Sequence, residues 1–117
     1  MAKQASQLKK GSTPTLILAI LTVRPMYGYE IAREVERRTK GQLTFKEGTL
    51  YPTLHALERQ GLIEGRWEEE PLGRESALPR KYYSITESGL AAFATSAQEL
   101  RQFARAILSI VGEAGNA

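Results

Sequence analysis

The chain contains no cysteine. That excludes disulfide crosslinks, thiolate nucleophiles and cysteine-based zinc sites, and it fits a reducing cytoplasm. Histidine occurs once, as His55, with no second residue spaced to share a metal ion or to complete a nucleophilic pair. Also missing are a glycine-rich phosphate loop, a zinc motif and a G-x-S-x-G nucleophile turn. The residues therefore argue against an enzyme and require no metal or cofactor. Long apolar runs are absent too. The segment Leu16 to Val23, preceded by Lys9 and Lys10, imitates the charged and hydrophobic parts of a secretion signal. It ends in Arg24-Pro25 without a small-residue cleavage pattern and is far shorter than the ~20 residues needed to cross a bilayer. A buried helix, with no membrane partner, is the expectation there. No internal repeat or low-complexity tract occurs.

What is present is 117 residues, enough for one domain with its own core. A net charge of +3 and a pI near 9.3 permit an anionic partner without demanding one. Three segments follow along the chain: a polar, basic arm at 1–12, a compact domain at 13–86 and a long helix at 87–113. The arm is read as loose or as a frayed helix start. Ser12 or Thr13 can cap the first helix, with Pro14 at its first position, and the helix runs to about Val23. Pro25 and Gly28 interrupt it, and a second helix places Ile31, Ala32 and Val35 on one face before Gly41 ends it. The other face carries Arg33, Glu34, Glu36, Arg37 and Arg38, a solvated surface unless further basic groups lie beside it.

A third helix contains Leu50, Leu54 and Leu57 at i, i+4 and i+7, a single buried stripe. Thr44 and Glu47 match a capping box, although a start at Thr44 leaves Pro52 well inside the helix, so a kink or a start near Thr49 is equally open. Gly61 closes it. "LIEGRWEEE" and "RKYYSIT" then read as two strands joined by the loop "PLGRESALP". Trp67 is expected in the core, with a share of an effector cavity as the alternative. Glu68, Glu69 and Glu70 form an acidic run expected to face solvent and to repel DNA. Thr86 caps the last helix, in which Leu90, Phe93, Ala97, Leu100, Ala104, Ile107 and Val111 alternate steps of three and four. Phe103, Leu108 and Ile110 widen that seam into a face suited to a second copy of the chain.

Mostly helical, with a small β-hairpin and a long C-terminal dimerisation helix, this is the element order of a winged helix-turn-helix. Such a fold sends the N-terminal end of its third helix into the major groove of DNA. Gly48 would let the backbone come close, and Thr49, Tyr51 and His55 would present a hydroxyl, a phenol and an imidazole opposite the leucine stripe. Tyr51 has an alternative, packing on the second helix. Arg80 and Lys81, with Arg74 nearby, suit phosphate contact at the wing.

At these residues the sequence resembles the PadR family of bacterial transcriptional regulators. "PMYGYEI" (25–31), "EGTLYPTLHALERQGLI" (47–63), "RKYYSIT" (80–86) and Gly89 match that family's signature in order and spacing. The single C-terminal helix is similar to the short subgroup. The resemblance implies a cytoplasmic homodimer that binds an inverted-repeat operator, represses a nearby gene and is released by a small aromatic or cationic effector. It places Gly48, Thr49, Tyr51, Pro52 and His55 at the head of the recognition helix and Arg80 and Lys81 at the start of the second wing strand. One departure concerns the effector: drug-binding members present a tryptophan from the last helix, where this chain has Phe93 and Phe103 only. Ala97 and Ala104 either let two helices pack closely or leave a cavity bordered by Phe93, Phe103 and Trp67. A winged helix that binds another protein, without specific DNA binding, is the alternative function.

Overall fold

The computed structural model describes residues 2–68 and 79–112, with side chains from Ser12 onward. In chain order the elements are α1 (Ala2–Leu21), β1 (Met26–Tyr27), α2 (Gly28–Arg38), α3 (Glu47–Arg59), β2 (Ile63–Trp67), β3 (Lys81–Ile85) and α4 (Glu87–Val111). The strands form one antiparallel sheet in the order β1-β3-β2. Helices α1, α2 and α3 bury their apolar stripes against one another and against Met26, Ile63 and Tyr83 of the sheet. This is the winged helix-turn-helix expected from the element order, with a strand added to the wing. Met26 pairs with Tyr83, and Tyr27 with Tyr82. Two residues carry no period of their own, so a long-range backbone pairing of this length leaves no local signal.

The ends of the helices follow the sequence in part. α3 stops in a Schellman motif: Gly61 has φ +75, its N–H donates to the Glu58 carbonyl and the Leu62 N–H donates to Leu57. In α2 the same motif uses Lys40 at φ +53, one residue before the glycine expected to end the helix. Thr86 caps α4 as expected, its hydroxyl accepting from the Gly89 N–H at 3.0 Å and donating to the Gly61 carbonyl at 2.7 Å. Gly89 is required by contact, because a side chain there would run into the Leu62 carbonyl. The first turn of α4 is thereby set directly on the end of α3.

Two helix starts differ from one of the readings the sequence left open. α1 already begins at Ala2, so Pro14 lies inside it, Thr13 is buried in place of capping, and of the two readings of the basic segment, loose arm or helix start, the helix is the one seen. The residues taken for an arm are rich in alanine, lysine and glutamine, which favour helix despite their polarity. The capping box at Thr44 does not form either. Phe45 packs against the core, Lys46 is extended at φ −75 and ψ 153, and the helix starts only at Glu47 with no side-chain cap. Pro52 therefore sits inside α3, one turn from its start.

Candidate nucleic-acid interface

With Leu50, Leu54 and Leu57 turned into the core, the opposite face of α3 is fixed by helical period. Gly48, Thr49, Tyr51, Pro52 and His55 are all exposed on it. The first amides of the helix have backbone partners only in part: the Thr49 and Leu50 N–H groups both reach the Lys46 carbonyl, at 2.9 and 2.8 Å. Among the described residues nothing lies within 4 Å of where a side chain on Gly48 would project. No packing among the described residues explains that glycine.

Tyr51 packs on the second helix, one of its two expected readings, and still leaves part of its ring open. Its ring lies against Gly28 at the start of α2, where an added methyl would sit 2.9 Å from Cε1, and it keeps about a third (36%) of its surface open. Beyond it a groove of about 300 Å³ separates α3 from the wing, lined among others by Tyr29, Tyr51, His55, Trp67, Arg80 and Lys81. The structure thus brings the recognition-helix candidates and the wing candidates to one surface. Arg74 and the loop around it, with Glu69 and Glu70, fall outside the described residues.

The wing cations are held more tightly than a sequence can show. Lys81 donates to Glu58 Oε1 at 2.9 Å and lies near the rings of Trp67 and Tyr83, at 5.6 and 5.7 Å. Gly65 leaves the room this side chain crosses, since a methyl there would strike its Cε. Arg80 stacks over the ring of Tyr27 at 4.0 Å and reaches Glu68 at 3.9 Å. Tyr27 in turn donates to Glu68 at 3.1 Å and packs on Tyr82 at 4.0 Å between ring centres. Its hydroxyl is pushed up to about 12, first by hydrogen bonding with Tyr82 and then by burial and by Glu68. It therefore stays a neutral donor. Glu68 is turned inward onto this cluster, contrary to the solvent-facing position expected for it, because a phenol and a guanidinium compensate its charge locally. Tyr27 and Tyr82 are sheet residues that the sequence offers as motif and strand material, without a part in this cluster. Their only signal was their place in "PMYGYEI" and "RKYYSIT".

Trp67 is not in the core: 65% of its surface is exposed at the far end of β2. Phe93 packs against the core, and Phe103 is exposed further along α4. Trp67 lines the groove beside Tyr51 and Lys81, whose lining includes neither Phe93 nor Phe103. The seam of α4 also divides. Ala97 is buried and Phe93 is half-buried against the core, consistent with α4 packing on α1. Leu90, Phe103, Ala104, Ile107, Leu108 and Val111 are exposed, and Leu100 is half-buried. No helix among the described residues is long and apolar enough to cross a membrane.

The model of the Transcriptional regulator PadR-like family matches residues 17–95. A solved transcriptional regulator from Clostridium thermocellum is 30% identical, with a TM-score of 0.79 over 90% of this chain and 98% of that one. A PadR family regulator from Clostridium difficile R20291 is 33% identical, with a TM-score of 0.70 over 86% of this chain and 99% of its own. The transcriptional regulator YqjI of Escherichia coli K12 is 35% identical across 68% of this chain, which spans only 34% of that protein's length. The matched span runs from α1 through α3 and the wing into the first turns of α4, the elements that build the surface described above, and the chain belongs to the PadR-like family of transcriptional regulators.

Proposed function

We propose that the chain is a homodimeric repressor that binds an inverted-repeat operator with the head of α3 in the major groove. One observation carries this reading: the start of α3 is exposed, lacks a side-chain cap and bears Gly48 with empty space beside it, next to Thr49, Tyr51 and His55. Backbone N–H groups and the positive end of the helix dipole favour phosphate there, and the three side chains can meet base edges. Arg80 adds a wing contact to the DNA backbone. Lys81, committed to Glu58, supports the groove from within.

The second copy is held by the outer half of α4. Every residue from 101 to 111 is exposed in the single chain, and Phe103, Ile107, Leu108, Ile110 and Val111 together form an apolar face too large to leave in water. A two-fold axis through that face repeats α3, so the half-sites should be centred about one helical turn, ~34 Å, or a multiple of it apart. Mobility shift of genomic fragments under excess competitor DNA tests the reading. A retained, sequence-selective complex supports it. Loss of all selectivity would leave a winged-helix protein-interaction module instead.

A further inference from the structure

The cations expected to grip DNA at the wing already face carboxylates. Lys81 is paired with Glu58 at 2.9 Å, and Arg80 has Glu68 at 3.9 Å and the face of Tyr27. A phosphate approaching either must compete with an acid of the same chain, and fewer counterions are released in the exchange. Helix α2 distributes its charges differently. Glu34 is occupied by Arg37 at 2.6 and 3.0 Å and by Arg38 at 3.0 Å. Its carboxyl is held down at about 2, chiefly by the hydrogen bonds from Arg37. Glu30 is occupied by the Tyr27 N–H at 3.0 Å and by Arg24 at 3.3 Å.

Arg33 lies between these two acids in sequence, yet it makes no ion pair with a described residue. Its guanidinium donates to the Tyr29 hydroxyl at 2.8 Å and lies 5.6 Å from the centre of that ring. A phenol orients a guanidinium without cancelling its charge. Both residues are exposed. Tyr29 stands where two depressions meet: the groove it shares with Tyr51 and His55, and one of about 390 Å³ along α2 that it shares with Arg24, Arg33 and Arg37 and with Glu30 and Glu34, the two acids already occupied. An oriented guanidinium, outside any ion pair with a described residue, therefore adjoins the groove at the head of α3.

We infer that Arg33, oriented by Tyr29, is a phosphate anchor for duplex DNA and carries more of the backbone contact than Arg80 or Lys81. This rests on the proposed placement of α3 in the groove. A guanidinium fork suits a phosphate in two-point contact, and the long side chain needs ordering before such a contact stabilises anything. Tyr29 supplies that order in advance.

The test is binding of a labelled mixed-sequence duplex of roughly 20 base pairs, about two helical turns, followed by fluorescence anisotropy across a salt series. Arg33→Ala should reduce the slope of log affinity against log salt by about 1, whereas Arg33→Lys should hold it near the wild-type value. Arg37→Ala, Arg80→Ala and Lys81→Ala, whose charges are already offset, should each change the slope by clearly less. Thermal melting of every variant separates lost contact from lost fold, and Arg33→Lys supplies the folded comparison should Arg33→Ala melt early. An unchanged slope in Arg33→Ala overturns the inference, as does an equal loss in Arg37→Ala or Arg80→Ala. A wild-type chain that binds no duplex at all overturns the proposed function instead, which is a different result.

Discussion

Helices α3 and α4 both carry apolar stripes at helical period. In α3, Leu50, Leu54 and Leu57 retain 2%, 0% and 3% of their surface. In α4, Leu90, Phe103, Ile107 and Leu108 retain 48%, 45%, 39% and 40%, although the first half of the same helix packs on its own chain through Phe93 and Ala97. The same pattern is closed within the chain in one helix and left open in the other. Periodicity states that a face must leave water; it does not state what covers it. The difference follows from reach. α3 is 13 residues long and lies across the core, whereas α4 has 25 residues and outruns the three-helix body.

The comparison breaks most severely in α3. Leu54→Ala should cost about 2–5 kcal/mol, by lost transfer energy and the cavity left behind. The melting temperature of a variant with α4 already made monomeric should fall by the same increment, because the stripe is internal; calorimetry of both backgrounds decides this. The converse holds for Leu100→Asp with Ile107→Asp. That double variant should sediment as a monomer and lose the dependence of melting temperature on protein concentration. An intact dimer would place the interface elsewhere.

A smaller effect is expected on the exposed side of α3. Tyr51→Ala and His55→Ala should each shift half-site preference by about 1–3 kcal/mol in selection from a randomised duplex pool, with little change in stability. Gly28→Ala sharpens this, since its methyl would displace the Tyr51 ring now 2.9 Å away and should reproduce part of the Tyr51→Ala shift without removing a DNA contact. Selections unchanged by all three substitutions would remove Tyr51 and His55 from base reading.

The smallest effect concerns the surface of α2. The Glu34 carboxyl sits at about 2 in the folded chain against an ordinary 4.5, so the stability it adds is complete above pH 4.5 and is lost as pH falls toward 2. Its arginine partners are open to solvent and the gain should be slight. The difference in urea midpoint between wild type and Glu34→Gln should shrink from pH ~5 to pH ~2.5. A constant difference would show that Arg37 and Arg38 do not stabilise the fold through this carboxylate.

Much of the surface could be read from local patterns. The leucine stripe of α3 left Thr49, Tyr51 and His55 on its open face, and that follows from helical period alone. The turn at Gly61 and the cap at Thr86 were equally legible, because both are made by residues within a few positions of the helix end. The expectations that failed depended on distant residues. Thr44 was denied its cap by the burial of Phe45, and Trp67 was left outside the core by the direction in which β2 leaves it. Pairing of Met26 and Tyr27 with β3 needed residues more than fifty positions away.

By itself the sequence determined the helices, their apolar faces, the two wing strands and the residues standing on the open side of α3. These depend on period, turn chemistry and propensity, which act over a few residues. Only the tertiary structure decided which charges are spent. Lys81 meets Glu58 across 23 positions and Tyr27 meets Glu68 across 41, while Arg33, with acids beside it in sequence, pairs with neither. Charge compensation depends on distances of 3 to 4 Å between side chains brought together by folding, and sequence spacing does not contain those distances.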